Sequence, residues 1–417
     1  MFKILIVGAG PSGLISGYTL SRLGHSVKIV EKSDRVGGLL NTRNIDGIEI
    51  EEVYHHILYN DVHLVKLIKG LNLENRLHWY RSRVGIFTHN QFYNITTPFD
   101  YLGLSFISPL NRIKLIYRLA FPEANVSSLR EFFSPEIYDS FIEDMLINKF
   151  NRYAEKINPD WFIQKLRKRG RSRCVLYERL GYIDGSFKIF CDAMTRFLES
   201  NGGEIILNSS IKSITYNGNQ FKVDIDGKVE VFDRIIFTIA PPVIAELLKD
   251  IDPHFYKRLI KLSFMSNITI LLYTRRNLTE YYWLNIADKK VGLTGIISQS
   301  NLVRYENVKG FFTYISLYLP IDDQMNNFDS NAMMDYLLSE LDKMNINLHK
   351  SDIIEYQITK TEYAQPLYFG EEDLLTIDLK TPIKGIFILN SHSLLPEDRG
   401  LNNICLKAKL LSRIISF

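Results

Sequence analysis

The chain has 417 residues, 46% of them hydrophobic and 23% charged, with a formal net charge of +3. That is ample for a large core, enough for two intertwined domains, and the balanced charge argues against a dedicated nucleic-acid binder. Three widely spaced cysteines, Cys174, Cys191 and Cys405, form no CxxC and no even-numbered framework, as in a reducing compartment with buried thiols. The opening, "FKILIVGAGPSGLISGYTLSRLGHSVKIVEKSDRVGG", reads as strand, glycine turn, helix, strand. Lys3 to Val7 is a short buried strand, and Val27 to Val30 is a second, ending at Glu31. Glycines break the apolar run and no basic leader precedes it, so no signal peptide is expected. No stretch of about 18 uninterrupted apolar residues predicts a spanning helix. The default is a cytoplasmic protein, soluble or peripheral to a membrane.

Residues 62–72 have the pattern of an amphipathic helix closed by glycine, and residues 98–170 are mainly helical with aromatic interruptions. Near 185 a second α/β signal begins: helix, glycine turn, strand, then a hairpin with Asn217-Gly218 at its turn. "VFDRIIFTIAPP" is a further buried strand. Residues 265–320 are rich in β-formers and predict a mostly antiparallel sheet, residues 331–344 a helix. The end returns to the opening theme, with the strand "GIFILNS", the stretch "LPEDRGLNN" and a last helix. Nucleotide-binding signals at the start, middle and end imply discontinuous domains: 1–75, 185–250 and 380–417 for the nucleotide, 76–184 and 251–379 for the substrate.

Gly8, Gly10 and Gly13 form GxGxxG between a predicted strand and a predicted helix. The first glycine permits the tight turn, the second lets backbone approach a pyrophosphate, and the third lets helix and strand pack closely. The helix N-terminus offers free N–H groups and partial positive charge to the phosphates. Glu31 suits the hydroxyls of an adenosine ribose and repels a 2′-phosphate, which argues against NADP. FAD and NAD both fit to this point. The Gly37-Gly38 doublet favours FAD, because a longer cofactor needs a second close backbone approach.

"EKSDRVGG" resembles the extended fingerprint of the flavoprotein superfamily that holds monoamine oxidases, protoporphyrinogen oxidases, phytoene desaturases and UDP-galactopyranose mutases. "LNSSIKSI", "FDRIIFTIAP" and "IFILNSHSLLPEDRGLNN" are similar to its later nucleotide-domain segments. The resemblance implies an α/β fold: a Rossmann-type, glutathione-reductase-like FAD-binding domain with an inserted substrate domain of mostly antiparallel sheet plus helices. It also implies non-covalent FAD, since no attachment motif surrounds Cys405. The implied cofactor contacts are Gly8, Gly10, Pro11, Ser12 and Gly13 in the first turn, with Glu31 and Lys32 at the next strand. Gly37, Gly38 and Leu39 follow. Further along come Ile211 near the adenine, Asp398 at the ribityl or pyrophosphate region, and Asn402 where a helix starts toward the flavin. Tyr363 is similar to a family position lining the substrate cavity, and core packing is the alternative.

The stretch "EEVYHHILYND", residues 51–61, resembles the family stretch that passes near the isoalloxazine ring, and the resemblance implies that place for it here. If Tyr54 to Ile57 is extended, His55 and His56 point to opposite faces and cannot readily share a metal. No HxxxH or HExxH spacing exists, so no metal is expected. One histidine faces flavin or substrate, with His56 the catalytic candidate, and a structural role for both stands beside that reading. Glu51 and Glu52 read as a solvated or arginine-paired edge. "KLRKRGRSR", residues 165–173, is either a solvated helix end or a clamp in which Arg169, Arg171 and Arg173 hold an anionic or lipid-linked small molecule. Arg81 and Arg83 are lesser candidates for the same task. "FDYLGLSFISPLNRIKLIYRLAFP" fits either the substrate-domain core or an interfacial amphipathic segment.

The leading expectation is an FAD-dependent oxidoreductase that passes hydride from a C–N or C–C bond to flavin N5. The alternative is a nucleotide-sugar or lipid-linked-sugar enzyme, mutase-like and without net redox, acting in polysaccharide biosynthesis. A flavin-binding scaffold without turnover is the third.

Overall fold

Five parallel strands form the sheet that carries the first glycine turn, in the order Glu204–Ile206, Ser26–Val30, Lys3–Val7, Arg234–Phe237 and Ile386–Ile388. The computed structural model describes residues 1–122, 126–174, 177–306, 308–370 and 378–416, the side chains of Arg173, Cys174 and Ser416 excepted. Ile4, Leu5, Ile6, Ile29, Ile235, Ile236 and Ile388 are fully buried. β-Branched residues covered on both faces are what a central parallel sheet requires. The sheet draws strands from three distant parts of the chain. Beside it, Ile211–Tyr216, Phe221–Ile225 and Lys228–Phe232 form an antiparallel three-stranded sheet, with Asn217-Gly218 in the first connection.

The larger sheet has seven strands, in the order Ile353–Pro366, Phe264–Thr274, Phe311–Pro320, Gly295–Ser298, Trp283–Ile286, Val84–Thr88 and Gln91–Asn94. It is antiparallel except where Trp283–Ile286 runs parallel to Val84–Thr88. A crossover from residue 88 to 283 makes that pairing, which a count of β-formers between 265 and 320 does not foresee. A further sheet joins Ile57–Leu58, Tyr177–Ile183 and Leu77–Arg81.

The predicted helical stretch is present as Pro109–Ala120, Glu143–Phe150 and Pro159–Arg171, among shorter turns. Asn158 caps the last of these by accepting from Trp161 N at 3.0 Å. One hydrophobic cluster contains Ile4, Ile6 and Ile29 of the parallel sheet together with Leu271 and Tyr314 of the seven-stranded sheet and Tyr282 just before its strand Trp283–Ile286. The two sheets therefore share a core, and residues 51–58 run through it. Among the described residues no helix is long and apolar enough to cross a membrane.

Candidate active site

The turn after Lys3–Val7 is pressed against the second glycine pair. Gly37 N donates to Ala9 O at 2.9 Å, and a Cβ on Gly38 would stand 3.0 Å from Gly10 Cα. A Cβ on Gly13 would meet Gly8 O at 1.9 Å, so packing of helix on strand demands glycine there. Gly10 differs. Its φ of −71° and ψ of −177° suit any residue, and a Cβ would meet nothing nearer than Gly38 Cα at 3.9 Å. The chain alone does not need glycine at position 10; a group lying against the helix N-terminus does.

That helix, Pro11–Ser21, has no side-chain cap. Its first backbone bond is Leu14 N to Gly10 O, which leaves the Ser12 and Gly13 N–H groups for an anion. Glu31 accepts from Ala9 N at 2.7 Å and from Ser33 N at 2.9 Å, and its carboxylate keeps acceptor capacity for ribose hydroxyls. Asn208 N and Ser209 N bond the carbonyls of Ser33 and Glu31, both at 2.9 Å, bringing the run-up to Ile211 over that acid. These residues fit FAD: diphosphate at Gly10 to Gly13, ribose at Glu31. Lys32 and Leu39 are exposed beside the turns.

Past the glycine pair, the hairpin Thr42–Ile45/Ile48–Glu51 delivers the histidine stretch inward. Glu51 is not a surface edge: it is 1% exposed. It accepts from Tyr182 Oη at 2.6 Å and Phe187 N at 2.7 Å. Its carbonyl accepts from Tyr314 Oη at 2.6 Å. Burial pushes its carboxyl up despite these donors. Tyr182 of strand Tyr177–Ile183 and Phe187 at the start of helix Ser186–Ser200 close over it. Glu52, one residue on, pairs with Arg35 at 3.0 Å, in line with an arginine-paired edge.

The histidines diverge. His55 Nδ1–H donates to Val53 O at 2.7 Å, and its ring lies 5.8 Å from that of Phe187. His56 Nδ1 lies 2.9 Å from Tyr282 Oη. Its ring meets Tyr282 and Trp283 edge-on, at 5.9 and 5.8 Å. Tyr54 reaches Trp283 at 5.3 Å. Burial, then the charge of Arg169, lowers His56 to about 3. Burial lowers His55 to about 4. Both imidazoles are neutral near pH 7, and burial raises the phenols of Tyr54 and Tyr282. Among the described residues, no group of three or more His, Cys, Asp or Glu gathers at metal-binding distance.

The basic run divides by helical spacing. Lys165, Lys168 and Arg169 lie one turn and two turns beyond Trp161, on one face of Pro159–Arg171. Lys165 Nζ sits 3.9 Å over the Trp161 ring, and Arg169 4.8 Å from the centre of Trp283. Lys168 pairs with Asp61 at 3.4 Å. Arg171 is exposed, which places it off the clamp expected for it. The Arg173 side chain lies outside the described residues. Arg83 pairs with Glu280 at 2.8 Å on the surface, and Arg81 stacks on Tyr177.

From the C-terminal side, Asp398 lies 3.8 Å from Lys165. Burial pushes its carboxyl up, but the charges of Lys165, Lys168 and Arg399 outweigh this and hold it at about 2. Asn402 commits its side-chain oxygen to His63 N at 2.8 Å and Leu64 N at 3.2 Å, capping helix Val62–Gly70. Helix Leu401–Ser416 starts at Gly400, where a Cβ would stand 3.6 Å from Lys168 Nζ. Tyr363 packs on Phe264 at 5.6 Å, at the edge of the parallel-sheet core. Burial pushes the Cys405 thiol up to about 12, so it is a poor nucleophile toward a flavin. Tyr282, Trp283 and Arg399 were not singled out from sequence, and Lys165 was marked only as the first residue of the basic run 165–173. Its i+4 position from Trp161 was a further usable signal.

The family of flavin-containing amine oxidoreductases matches residues 11–394. The chain is 22% identical to a 15-cis-phytoene desaturase of Arabidopsis thaliana over 99% of its own length and 80% of the relative. It superposes on an oxidoreductase from Methanosarcina mazei with a TM-score of 0.75 at 16% identity, covering 99% and 100% of the two chains. A reduced UDP-galactopyranose mutase gives 0.75 at 14% identity, covering 100% and 96%. At such identities the two structures speak for the fold.

Proposed function

The chain belongs to the flavin-containing amine oxidoreductase family, and on that premise we propose that it oxidises a small molecule by hydride transfer to N5 of its non-covalent FAD. The observation that supports this most is the wall of Tyr54, His56, Tyr282 and Trp283, aromatic and electrically neutral. FAD, when bound, supplies the hydride acceptor. The wall residues orient the substrate and exclude water. With its proton on Nε2, His56 accepts from Tyr282 at Nδ1 and offers Nε2–H to the substrate. Tyr54, between Trp283 and Tyr314, braces the wall that would face the cofactor.

A second reading, a nucleotide-sugar or lipid-linked-sugar enzyme without net redox, draws support from Lys165, Arg169 and Arg399 beside this wall. One experiment separates the two. Mixed anaerobically with amines, hydroxy acids and nucleotide sugars, the oxidised holoprotein is expected to be bleached by its substrate and recoloured by an acceptor. Isomerisation of a nucleotide sugar only after reduction, with no bleaching, overturns the oxidoreductase reading.

We also read peripheral contact with an anionic lipid surface from helix Pro109–Ala120. Leu110, Ile113 and Tyr117 are exposed on one face, with Phe121 one turn further and Phe99 and Leu102 nearby. The helix carries Arg112, Lys114 and Arg118 and no acid. Such a stripe rimmed by bases suits a lipid interface.

A further inference from the structure

We propose that Lys149, Lys165, Arg169 and Arg399 form a binding site for an anionic group of the substrate, a phosphate or a carboxylate. The inference rests on the reading that a small molecule is turned over against the His56 wall, and it names the chemistry of that molecule's other end.

Three elements converge here. Helix Glu143–Phe150 brings Lys149 to 5.8 Å from the Tyr318 ring, and the C-terminal segment brings Arg399 to 5.6 Å from the same ring. Arg399 also donates to Tyr318 Oη and Ala364 O. Helix Pro159–Arg171 adds Lys165 and Arg169, the latter on the ring of Trp283 that meets His56. Asp398 is held by Lys165 and Asp61 by Lys168, while Glu178, buried near Tyr282, accepts from Ser82 Oγ. Five basic side chains thus gather around three carboxylates, and among the described residues Lys149 and Arg169 have no ion-pair partner. Half-buried basic groups drawn together without counter-charge are costly to hold charged, so a partner of opposite sign is the expected occupant.

The cofactor's diphosphate has its own seat at Gly10 to Gly13. Lys149, Lys165 and Arg169 come from the helices between the glycine turns and the second half of the parallel sheet, and Arg169 opens onto His56. A cationic amine would be repelled here, and a wholly apolar substrate would leave the charges uncompensated. Burial first, then Lys165 and Arg399, hold Lys149 well below the usual lysine range. Burial brings Lys165 to about 8. An anion seated among them favours the charged form of both.

Trp161 and Trp283, two of the chain's three tryptophans, lie under Lys165 and Arg169 and report occupancy without turnover. FAD-loaded protein is titrated with inorganic diphosphate and with citrate, against potassium chloride of equal ionic strength. Saturable quenching of tryptophan fluorescence is expected with the polyanions and not with chloride. Lys165→Met and Arg169→Gln should each raise the dissociation constant about 10- to 100-fold, the worth of a hydrogen bond to a charged group, with FAD content unchanged. Lys249→Gln, at a surface ion pair, should behave as wild type. Equal effects of polyanion and chloride overturn the site, and that titration needs no variant to fold. Loss of FAD in step with lost anion binding overturns it too, by assigning the cations to the cofactor. Neither result depends on whether a substrate bleaches the flavin, so this proposal and the oxidoreductase reading fail separately.

Discussion

His56 Nδ1 and Tyr282 Oη lie 2.9 Å apart across 226 residues of sequence. The contact locks the imidazole edge-on to Trp283 and selects the tautomer with Nε2–H when the phenol donates. Burial keeps that imidazole neutral near pH 7.

His56→Ala should slow the chemical step about 100-fold, the low end for a positioned proton-handling group, with FAD content unchanged. Tyr282→Phe should cost about 2- to 10-fold, one neutral hydrogen bond. Because His56 is held at about 3, kcat/KM should show no inflection from it between pH 5 and 8. Single-turnover flavin reduction measures all three. Normal rates in both His56→Ala and His55→Ala would make the stretch a structural turn.

The glycines separate fold from cofactor. Gly10→Val should fold with a near-native melting temperature and purify colourless, since a Cβ there meets nothing closer than 3.9 Å in the chain itself. Gly13→Ala should fail to fold, its Cβ falling 1.9 Å from Gly8 O. Glu31→Gln should weaken FAD by about 1.5–3 kcal/mol, one charge-assisted hydrogen bond. Circular dichroism and flavin absorbance check the set. A yellow, folded Gly10→Val protein would refute the cradle.

Acid should destabilise the protein through the histidine pair. Both folded-state values, about 4 for His55 and about 3 for His56, lie below the ordinary 6.5. Between those values and 6.5 the unfolded chain binds more protons, so stability falls as pH drops through that window. Replacing both with asparagine should flatten the decline in melting temperature between pH 7 and 4 relative to wild type.

Glu51 is an anchor whose removal strands two buried donors. Glu51→Ala should cost about 1–3 kcal/mol for each of Tyr182 Oη–H and Phe187 N–H, read by denaturant unfolding. It should also lower turnover, because residues 51 to 56 hang from it.

Leu110→Ser, Ile113→Ser and Tyr117→Ser together should abolish co-sedimentation with anionic vesicles, as should high salt. Each of these exposed side chains contributes about 1.5–3 kcal/mol if fully buried in lipid. Equal binding to neutral and anionic vesicles would remove the role of Lys114 and its basic neighbours.

The cofactor end of the molecule was legible in sequence because its demands are local. A close backbone approach needs glycine at set offsets from a strand end, and a ribose needs an acid at the end of the next strand. Gly10, Gly13, Glu31 and Gly38, which fit those demands, therefore lie within a stretch of 29 residues. The divergence of His55 and His56 also follows from local geometry, because neighbouring side chains of an extended segment face opposite ways.

Strand register and domain crossover decided the rest. Glu51 looks like a surface acid until Tyr182, Phe187 and Tyr314 close over it from 131, 136 and 263 residues away. His56 gains its partner only because Trp283–Ile286 pairs in parallel with Val84–Thr88 and carries Tyr282 inward. Within the basic run, residue type alone could not tell Arg169 from Arg171; the packing of one helix face against Trp283 did. Lys149 and Arg399 carry no signal of their own, since electrostatic fields add in space and the residues that build this one lie about 250 positions apart in the chain.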